Sequence, residues 1–174
     1  DSSSAITHLL HGVTGSGKTR VYQELAKKTL AEQKSVLVLV PEIALTPQLA
    51  AEFESLHHNV LVLHSGLTEA ERHINWQRLS TSREPWVVVG PRSILFSPLS
   101  SISLIIVDEC HEPSYVQDSQ PKYSALRVAR KLAELCDGTK LLLGSATPLI
   151  TDYFFAQKTK TPIIKLTRPT NTRD

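Results

Sequence analysis

Short apolar runs recur along the chain, and segments with helical patterns separate them. Most of the runs are continuous stretches of Val, Leu and Ile, which is typical of strands buried on both faces of a parallel sheet. Seven runs predict strands, at residues 7–11, 35–40, 60–63, 86–90, 104–107, 140–144 and 163–166. Strands that alternate with helices in this way predict a doubly wound α/β fold.

Two of the predicted helices have clear start signals. Thr46 followed by proline is typical of a helix cap, because proline lacks the N–H that the first helical position leaves unpaired. The segment Thr68-Glu-Ala-Glu71 is a capping box ahead of a helix that ends near Leu79. Amphipathic patterns predict two further helices, at residues 21–30 and 124–135.

The segment after the first predicted strand carries a phosphate-loop motif. It reads Gly-Val-Thr-Gly-Ser-Gly-Lys-Thr and matches the pattern Gly-x-x-x-x-Gly-Lys-[Ser/Thr]. In such a loop the backbone N–H groups surround a phosphate, the lysine reaches the β- and γ-phosphates, and the last hydroxyl can bind Mg²⁺. The sequence therefore predicts a site for ATP and Mg²⁺ built from Gly12, Val13, Thr14, Gly15, Ser16, Gly17, Lys18 and Thr19.

A second motif follows the predicted strand at residues 104–107. We expect Asp108 to hold Mg²⁺, directly or through water, and Glu109 to orient and deprotonate the water that attacks the γ-phosphate. With His111 this is the Asp-Glu-x-His pattern of superfamily 2 helicases. The hydroxyls of Ser145 and Thr147 can hydrogen-bond His111 or Glu109 and report the nucleotide state to a DNA-binding surface.

Two strand-end loops fit a nucleic-acid surface. Pro41, Glu42 and Thr46 lie where a loop enters a capped helix and can present backbone N–H groups to a phosphate. Arg92 and Ser93 follow the fourth predicted strand and carry side chains that donate to phosphates. Ordinary turns between strand and helix are the alternative for both loops.

The polar segment 112–123 is predicted to be a long loop that carries two tyrosines. Tyr115 and Tyr123 can stack on unpaired bases, and Lys122 can contact a phosphate. Alternatively, the tyrosines pack the loop onto the domain surface. Cys110, between two polar catalytic candidates, is expected to point into the core.

Composition narrows the class of protein. The net charge of +2 is too small to indicate a nucleic-acid partner by itself, and no apolar run is long enough for a membrane span. The two cysteines have no metal-ligand spacing, which favours free thiols and a cytoplasmic location. We expect residues 1–7 to be a flexible lead-in, 8–167 one ATP-binding domain, and 168–174 a linker of a longer protein.

The order of the motifs identifies a family. The phosphate loop is followed by Val-Pro-Glu-Ile-Ala-Leu-Thr-Pro-Gln, Leu-His-Ser-Gly-Leu, Arg-Ser-Ile-Leu-Phe-Ser-Pro-Leu, Leu-Ile-Ile-Val-Asp-Glu-Cys-His and Leu-Gly-Ser-Ala-Thr-Pro. Over about residues 9–150 this order resembles the PriA family of primosomal replication-restart helicases. Three residues depart from the family: Cys110, where it usually has glutamate, Pro91, where threonine is common, and Arg20, where glutamate is common.

The resemblance implies the first RecA-like motor lobe, a three-layer α/β P-loop domain with a mostly parallel central sheet. It implies a bacterial, cytoplasmic, ATP-dependent DNA helicase that moves 3′ to 5′, processes stalled forks and restarts replication through primosome assembly. The implied partners are single-stranded and forked DNA, primosome proteins and single-stranded-DNA-binding protein. Zinc is expected only in the second-lobe region. The family's tyrosine loop, which couples DNA to ATP hydrolysis, corresponds to residues 114–123.

The same resemblance implies that this lobe alone is a monomer and nearly inactive, because it lacks the second lobe and its arginine finger. Three alternatives remain open. An RNA helicase of the same superfamily would carry the same motifs, since phosphate contacts do not read the sugar. A non-motor P-loop enzyme, such as a kinase or transferase, leaves the Ser-Ala-Thr-Pro segment unexplained. A binding module without catalysis leaves Glu109 unexplained.

Overall fold

The computed structural model of the protein describes residues 6–13, 15–147 and 161–166. Its four α-helices are α1 (Lys18–Ala31), α2 (Pro47–Glu54), α3 (Glu69–Thr81) and α4 (Ala125–Leu135). Its strands are β1 (Ile6–Gly12), β2 (Ser35–Leu39), β3 (Val60–Val62), β4 (Val87–Gly90), β5 (Ile102–Val107), β6 (Val116–Gln117), β7 (Tyr123–Ser124), β8 (Lys140–Ser145) and β9 (Ile163–Leu166).

Seven strands form one sheet in the order β3-β4-β2-β5-β8-β1-β9. Every pairing in this sheet is parallel. The order places β1, the first strand in the chain, between two strands from the end of the described chain. The predicted parallel α/β fold is confirmed.

Helices cover both faces of the sheet. Along β2, Val36 and Val38 pack in a cluster with α1 and α2, while Leu37 and Leu39 pack on the opposite face in a cluster with α3 and α4. Because successive side chains of a strand point to opposite faces, a strand buried on both sides needs apolar residues at every position. This confirms the predicted three-layer arrangement.

The predicted helix caps are also confirmed. Thr46 accepts a hydrogen bond from the N–H of Leu49 at 3.2 Å. In the capping box, the Thr68 hydroxyl accepts from the N–H of Glu71 at 3.3 Å, and the Glu71 carboxylate accepts from the N–H of Thr68 at 2.8 Å.

Three local features differ from expectation. β1 begins at Ile6, inside the segment 1–7 that was expected to be a lead-in. The first helix begins at Lys18, three residues before the predicted start at residue 21, because the phosphate loop runs directly into it. The segment 112–123 contains β6, which pairs antiparallel with β7 in a small hairpin. The helices of the described residues are all too short or too polar to cross a membrane.

Candidate functional site

The carboxyl edge of the sheet brings together the three motifs of the predicted nucleotide site. The phosphate loop follows β1, Asp108 and Glu109 follow β5, and Ser145 ends β8. These three strands are neighbours in the order β5-β8-β1. Ligands of parallel α/β sheets bind at this edge, where loops and helix N-termini converge.

The phosphate loop has the backbone that its glycines require. Gly15 and Gly17 have φ angles of 76° and 88°, which side chains with a Cβ rarely adopt. A Cβ on Gly12 would lie 2.4 Å from the hydroxyl oxygen of Ser16. Thr14 lies outside the described residues, and Val13 is exposed.

Ser16 marks the loop as a binding site for a polar group. Its side chain is buried, and within the described part of the chain its Oγ has no hydrogen-bond partner. A buried hydroxyl without a partner costs about 1–3 kcal/mol, so the position favours a ligand that supplies an acceptor or donor. The loop therefore fits a phosphate.

Lys18 connects the phosphate loop to the acidic motif. Its ammonium is buried, donates to the carbonyl of Gly12 at 2.8 Å and lies 3.2 Å from Oε1 of Glu109. Thr19, the predicted magnesium ligand of the loop, is half-buried in the first turn of α1. The positive charge expected at the phosphates is therefore held against the predicted catalytic carboxylate.

Asp108 has a partner that the sequence analysis missed. The hydroxyl of Tyr22 donates to Oδ1 of Asp108 at 2.7 Å, and Tyr22 is buried on α1. Burial raises the pKa of Asp108, and the hydrogen bond from Tyr22 offsets part of that increase. One signal was available in the sequence: Tyr22 follows Lys18 by four residues, so the two share a helix face.

Glu109 joins the remaining motif to the phosphate loop. Its φ is 45°, an uncommon left-handed value for a residue with a side chain. Its Oε2 accepts a hydrogen bond from the N–H of Ala146 at 3.0 Å, while Oε1 contacts Lys18. One carboxylate thus contacts the segments that follow both β1 and β8.

His111 makes the contacts predicted for it. Its Nδ1 lies 2.8 Å from Oγ of the buried Ser145, and its Nε2 lies 3.4 Å from the hydroxyl of Thr147. The same ring is 3.6 Å from Oε2 of Glu109. Pro148, the last residue of the Ser-Ala-Thr-Pro segment, lies outside the described residues.

The other half of the same edge carries the segments predicted to contact DNA. Pro41 is buried, and the hydroxyl of Thr46 is used as a helix cap. The carboxylate of Glu42 accepts a hydrogen bond from the N–H of Ser65 at 2.9 Å, and this bond lowers the pKa of Glu42. A carboxylate cannot donate to phosphate, and in this structure the Glu42 side chain instead holds two loops together.

Arg92 is tied to the hairpin segment. Its guanidinium donates to the carbonyl of Ser114 and, at 3.4 Å, to the side-chain oxygen of Gln117. Ser93 beside it is exposed. This pair of hydrogen bonds joins the loop after β4 to the loop after β5.

The two tyrosines of this segment have different environments. Tyr115 is buried, and its hydroxyl donates to the backbone carbonyl of Asp108 at 2.7 Å. The prediction that Tyr115 stacks on bases is therefore wrong for this structure. Its side chain instead packs the loop onto the domain, which is the alternative. Tyr123 is half-buried and meets Phe96 edge to face at 5.4 Å, while Lys122 is exposed.

Comparison with known proteins places this site in a family. The family model of DEAD/DEAH box helicases matches residues 4–153. The chain belongs to the DEAD/DEAH box helicase family. The site described above lies within the matched part of this helicase-family chain. It is formed by residues 12–19, 108–111 and 145–147.

Among curated relatives, the helicase-family chain is similar to proteins named replication restart protein PriA. It is 43% identical over 174 residues to that of Bacillus subtilis, covering 99% of this chain and 21% of the relative. It is 49% identical over 142 residues to that of Synechocystis, covering 80% of this chain and 17% of the relative. The chain spans about a fifth of the length of the relatives, and the predicted resemblance to PriA is confirmed.

A solved structure shows the same fold. The helicase domain of Hef from Pyrococcus furiosus matches with a TM-score of 0.65 at 23% identity, over 98% of this chain and 36% of that one. At that identity the similarity concerns the fold alone. It agrees with the three-layer parallel sheet of the helicase-family chain.

Proposed function

We propose that this chain is the ATP-binding motor lobe, the first RecA-like lobe, of a 3′-to-5′ ATP-dependent DNA helicase that restarts stalled replication forks through primosome assembly. One observation carries the proposal: the Glu109 carboxylate contacts Lys18 and the N–H of Ala146. Three motifs that span more than 120 residues of the chain thereby meet around one acid. The similarity to PriA proteins supports the biological role.

Each residue of the nucleotide site has a chemical role in this proposal. Lys18 exchanges part of its contact with Glu109 for the β- and γ-phosphates of ATP, and the released carboxylate accepts the proton of the attacking water. The Ser16 hydroxyl and the loop N–H groups hold phosphate oxygens. Mg²⁺, held by Thr19 and Asp108, would neutralise charge that develops on the phosphates.

Two sets of contacts connect this chemistry to DNA. His111 lies between Glu109 and the hydroxyls of Ser145 and Thr147, so a change at the γ-phosphate alters contacts of the segment after β8. Tyr115 connects the hairpin segment to the Asp108 backbone. We infer that these contacts transmit nucleotide state to loops that bind the strand, as a two-state switch requires.

The proposed partners are single-stranded and forked DNA, with primosome proteins and single-stranded-DNA-binding protein contacting the longer protein in the bacterial cytoplasm. Contacts from backbone N–H groups near Pro41 and Thr46, from Ser93 and from Lys122 would be made to phosphates, independently of base sequence. A catalytic arginine from a second lobe is worth roughly 10³–10⁵ in rate where measured in GTPases. We expect this lobe on its own to bind nucleotide as a monomer but to hydrolyse it slowly, because such an arginine would then not reach the phosphates.

The test is a titration of the chain with a fluorescent ATP analogue and Mg²⁺, beside the variants Lys18→Ala and Lys27→Ala. Lys27 is an exposed lysine of the same helix, paired with Glu24 and away from the phosphate loop. Binding should be lost in Lys18→Ala and retained in Lys27→Ala. Equal loss in both variants, or equal retention, would contradict the assigned phosphate site.

A further inference from the structure

A cleft of about 410 Å³ lies at the carboxyl edge of β3 and β4, away from the nucleotide site. The loops after β2, β3 and β4 and helix α3 line it, with the β6–β7 hairpin at one side. The residues that matter are Arg72 and Trp76 on α3, Arg92 after β4, and Tyr123 on the hairpin. None of the motifs identified in the sequence includes Trp76.

Trp76 gives the cleft an aromatic wall. Its side chain is 52% exposed although it is a large apolar group, whereas the second tryptophan of the chain, Trp86, is buried. Opposite α3, Tyr123 contributes a ring that is held edge to face by Phe96. An accessible indole and an oriented phenol that line one cleft form the type of surface on which unpaired bases stack.

Two preordered arginines line the rim of the cleft, together with one carboxylate, that of Glu42. Arg72 uses Nε and Nη2 to donate to the carbonyls of Leu67 and Ser65, at 2.7–3.3 Å. Arg92 uses Nε to donate to the side-chain oxygen of Gln117 and Nη1 to donate to the carbonyl of Ser114. A guanidinium has five N–H donors, so each arginine is fixed by the protein and still has donors for a phosphate.

We propose that this cleft binds an unpaired nucleobase of single-stranded DNA, stacked on Trp76, with the flanking phosphates at Arg72 and Arg92. The inference rests on the proposed function and adds to it a stacking residue, Trp76, that lies outside the helicase motifs. A volume of about 410 Å³ accommodates one base with its sugar, since ligand pockets start at roughly 300 Å³. Stacking does not read base identity, which suits an enzyme that moves along any sequence.

Single-stranded oligonucleotides test the site, because Trp76 is itself the fluorescent reporter. Oligo(dT) should quench the tryptophan emission of the chain, and the quenching should disappear in Trp76→Phe, which retains only the buried Trp86. A strand of equal length and charge that carries consecutive abasic sites should bind more weakly and leave the emission unchanged. Anisotropy of a labelled oligonucleotide then gives the affinity.

Substitutions separate stacking from general disturbance of the helix. Trp76→Ala should weaken oligonucleotide binding by about 5- to 150-fold, the range that corresponds to one stacked base. Trp76→Phe should retain most of the affinity. Ile74→Ala is the matched control, because Ile74 is a 54% exposed apolar residue of the same helix that does not line the cleft.

Three results would overturn the proposal: equal affinity for the abasic strand, unchanged affinity in Trp76→Ala, or no binding of any strand by this chain. In the first two cases DNA still binds through its phosphates, and the proposed function stands. Loss of ATP-analogue binding is measured separately, so a failure of the nucleotide site is distinguishable from a failure of the cleft.

Discussion

The contact between Tyr22 and Gly144 allows a sharp test of how the nucleotide site is built. A Cβ added to Gly144 would lie 1.8 Å from the hydroxyl oxygen of Tyr22 and 3.0 Å from its Cζ. Tyr22 is fully buried, and Gly144 lies in β8 between two neighbouring strands. Neither group can move away freely, so Gly144→Ala must displace the tyrosine hydroxyl from Asp108.

The expected cost follows from two terms. Overpacking of a filled core costs about 1–3 kcal/mol. Loss of a hydrogen bond to a charged group costs a further 1.5–3 kcal/mol, approximately. Gly144→Ala should therefore lower the free energy of unfolding by roughly 3–5 kcal/mol, which for a chain of this size corresponds to a fall in Tm on the order of 10 °C.

The variant Tyr22→Phe identifies the cause. It removes the hydroxyl that clashes, so adding Gly144→Ala to this background should cost at least about 2 kcal/mol less than it costs in the natural sequence. Urea unfolding followed by circular dichroism measures all four proteins of the cycle. Additive effects, within about 0.5 kcal/mol, would refute the view that the glycine is required by the tyrosine hydroxyl.

Two further predictions concern charge and capping. Burial raises the pKa of Asp108, so the carboxyl of the folded protein binds a proton more readily than that of the unfolded protein. The charged carboxylate therefore destabilises the fold fully above the folded pKa, and this cost disappears below the unfolded pKa. Asp108→Asn should thus stabilise the chain at pH 7, and the gain should shrink towards pH 4 in denaturant titrations; a gain that grows with acidity would contradict this. Thr68→Ala should cost about 1 kcal/mol by loss of the capping box, and Thr68→Ser should cost little.

The strands and helix starts could be predicted because their signals are local. A run such as Val36–Leu39 has no polar residue, and Thr46 and Thr68 each lie just before a helix. The apolar pattern predicts the start of α1 three residues too late, because the first helical turn consists of polar residues that continue the phosphate loop. The β6–β7 hairpin was missed because strands of two residues have no periodicity to detect.

The nucleotide site was predictable in its motifs but less so in its supporting contacts. Tyr22 and Asp108 are 86 residues apart, and only the folded sheet brings them together. For Tyr115 the sequence left base stacking and packing equally open, and burial against the Asp108 carbonyl decides for packing. Trp76 lies outside all motifs, so only the cleft draws attention to it.

The strand order has a consequence for how the protein is made. The phosphate loop is synthesised before β8 and β9, and β1 pairs with both of these strands, so the backbone groups of β1 have no sheet partners until the last described strands have been synthesised. At roughly 5–20 residues per second, the segment between Gly12 and Lys140 takes on the order of ten seconds to appear. Throughout that interval an ATP site cannot exist on the nascent chain, and Leu9 and Leu10 of β1, which are buried in the finished fold, remain accessible to a chaperone.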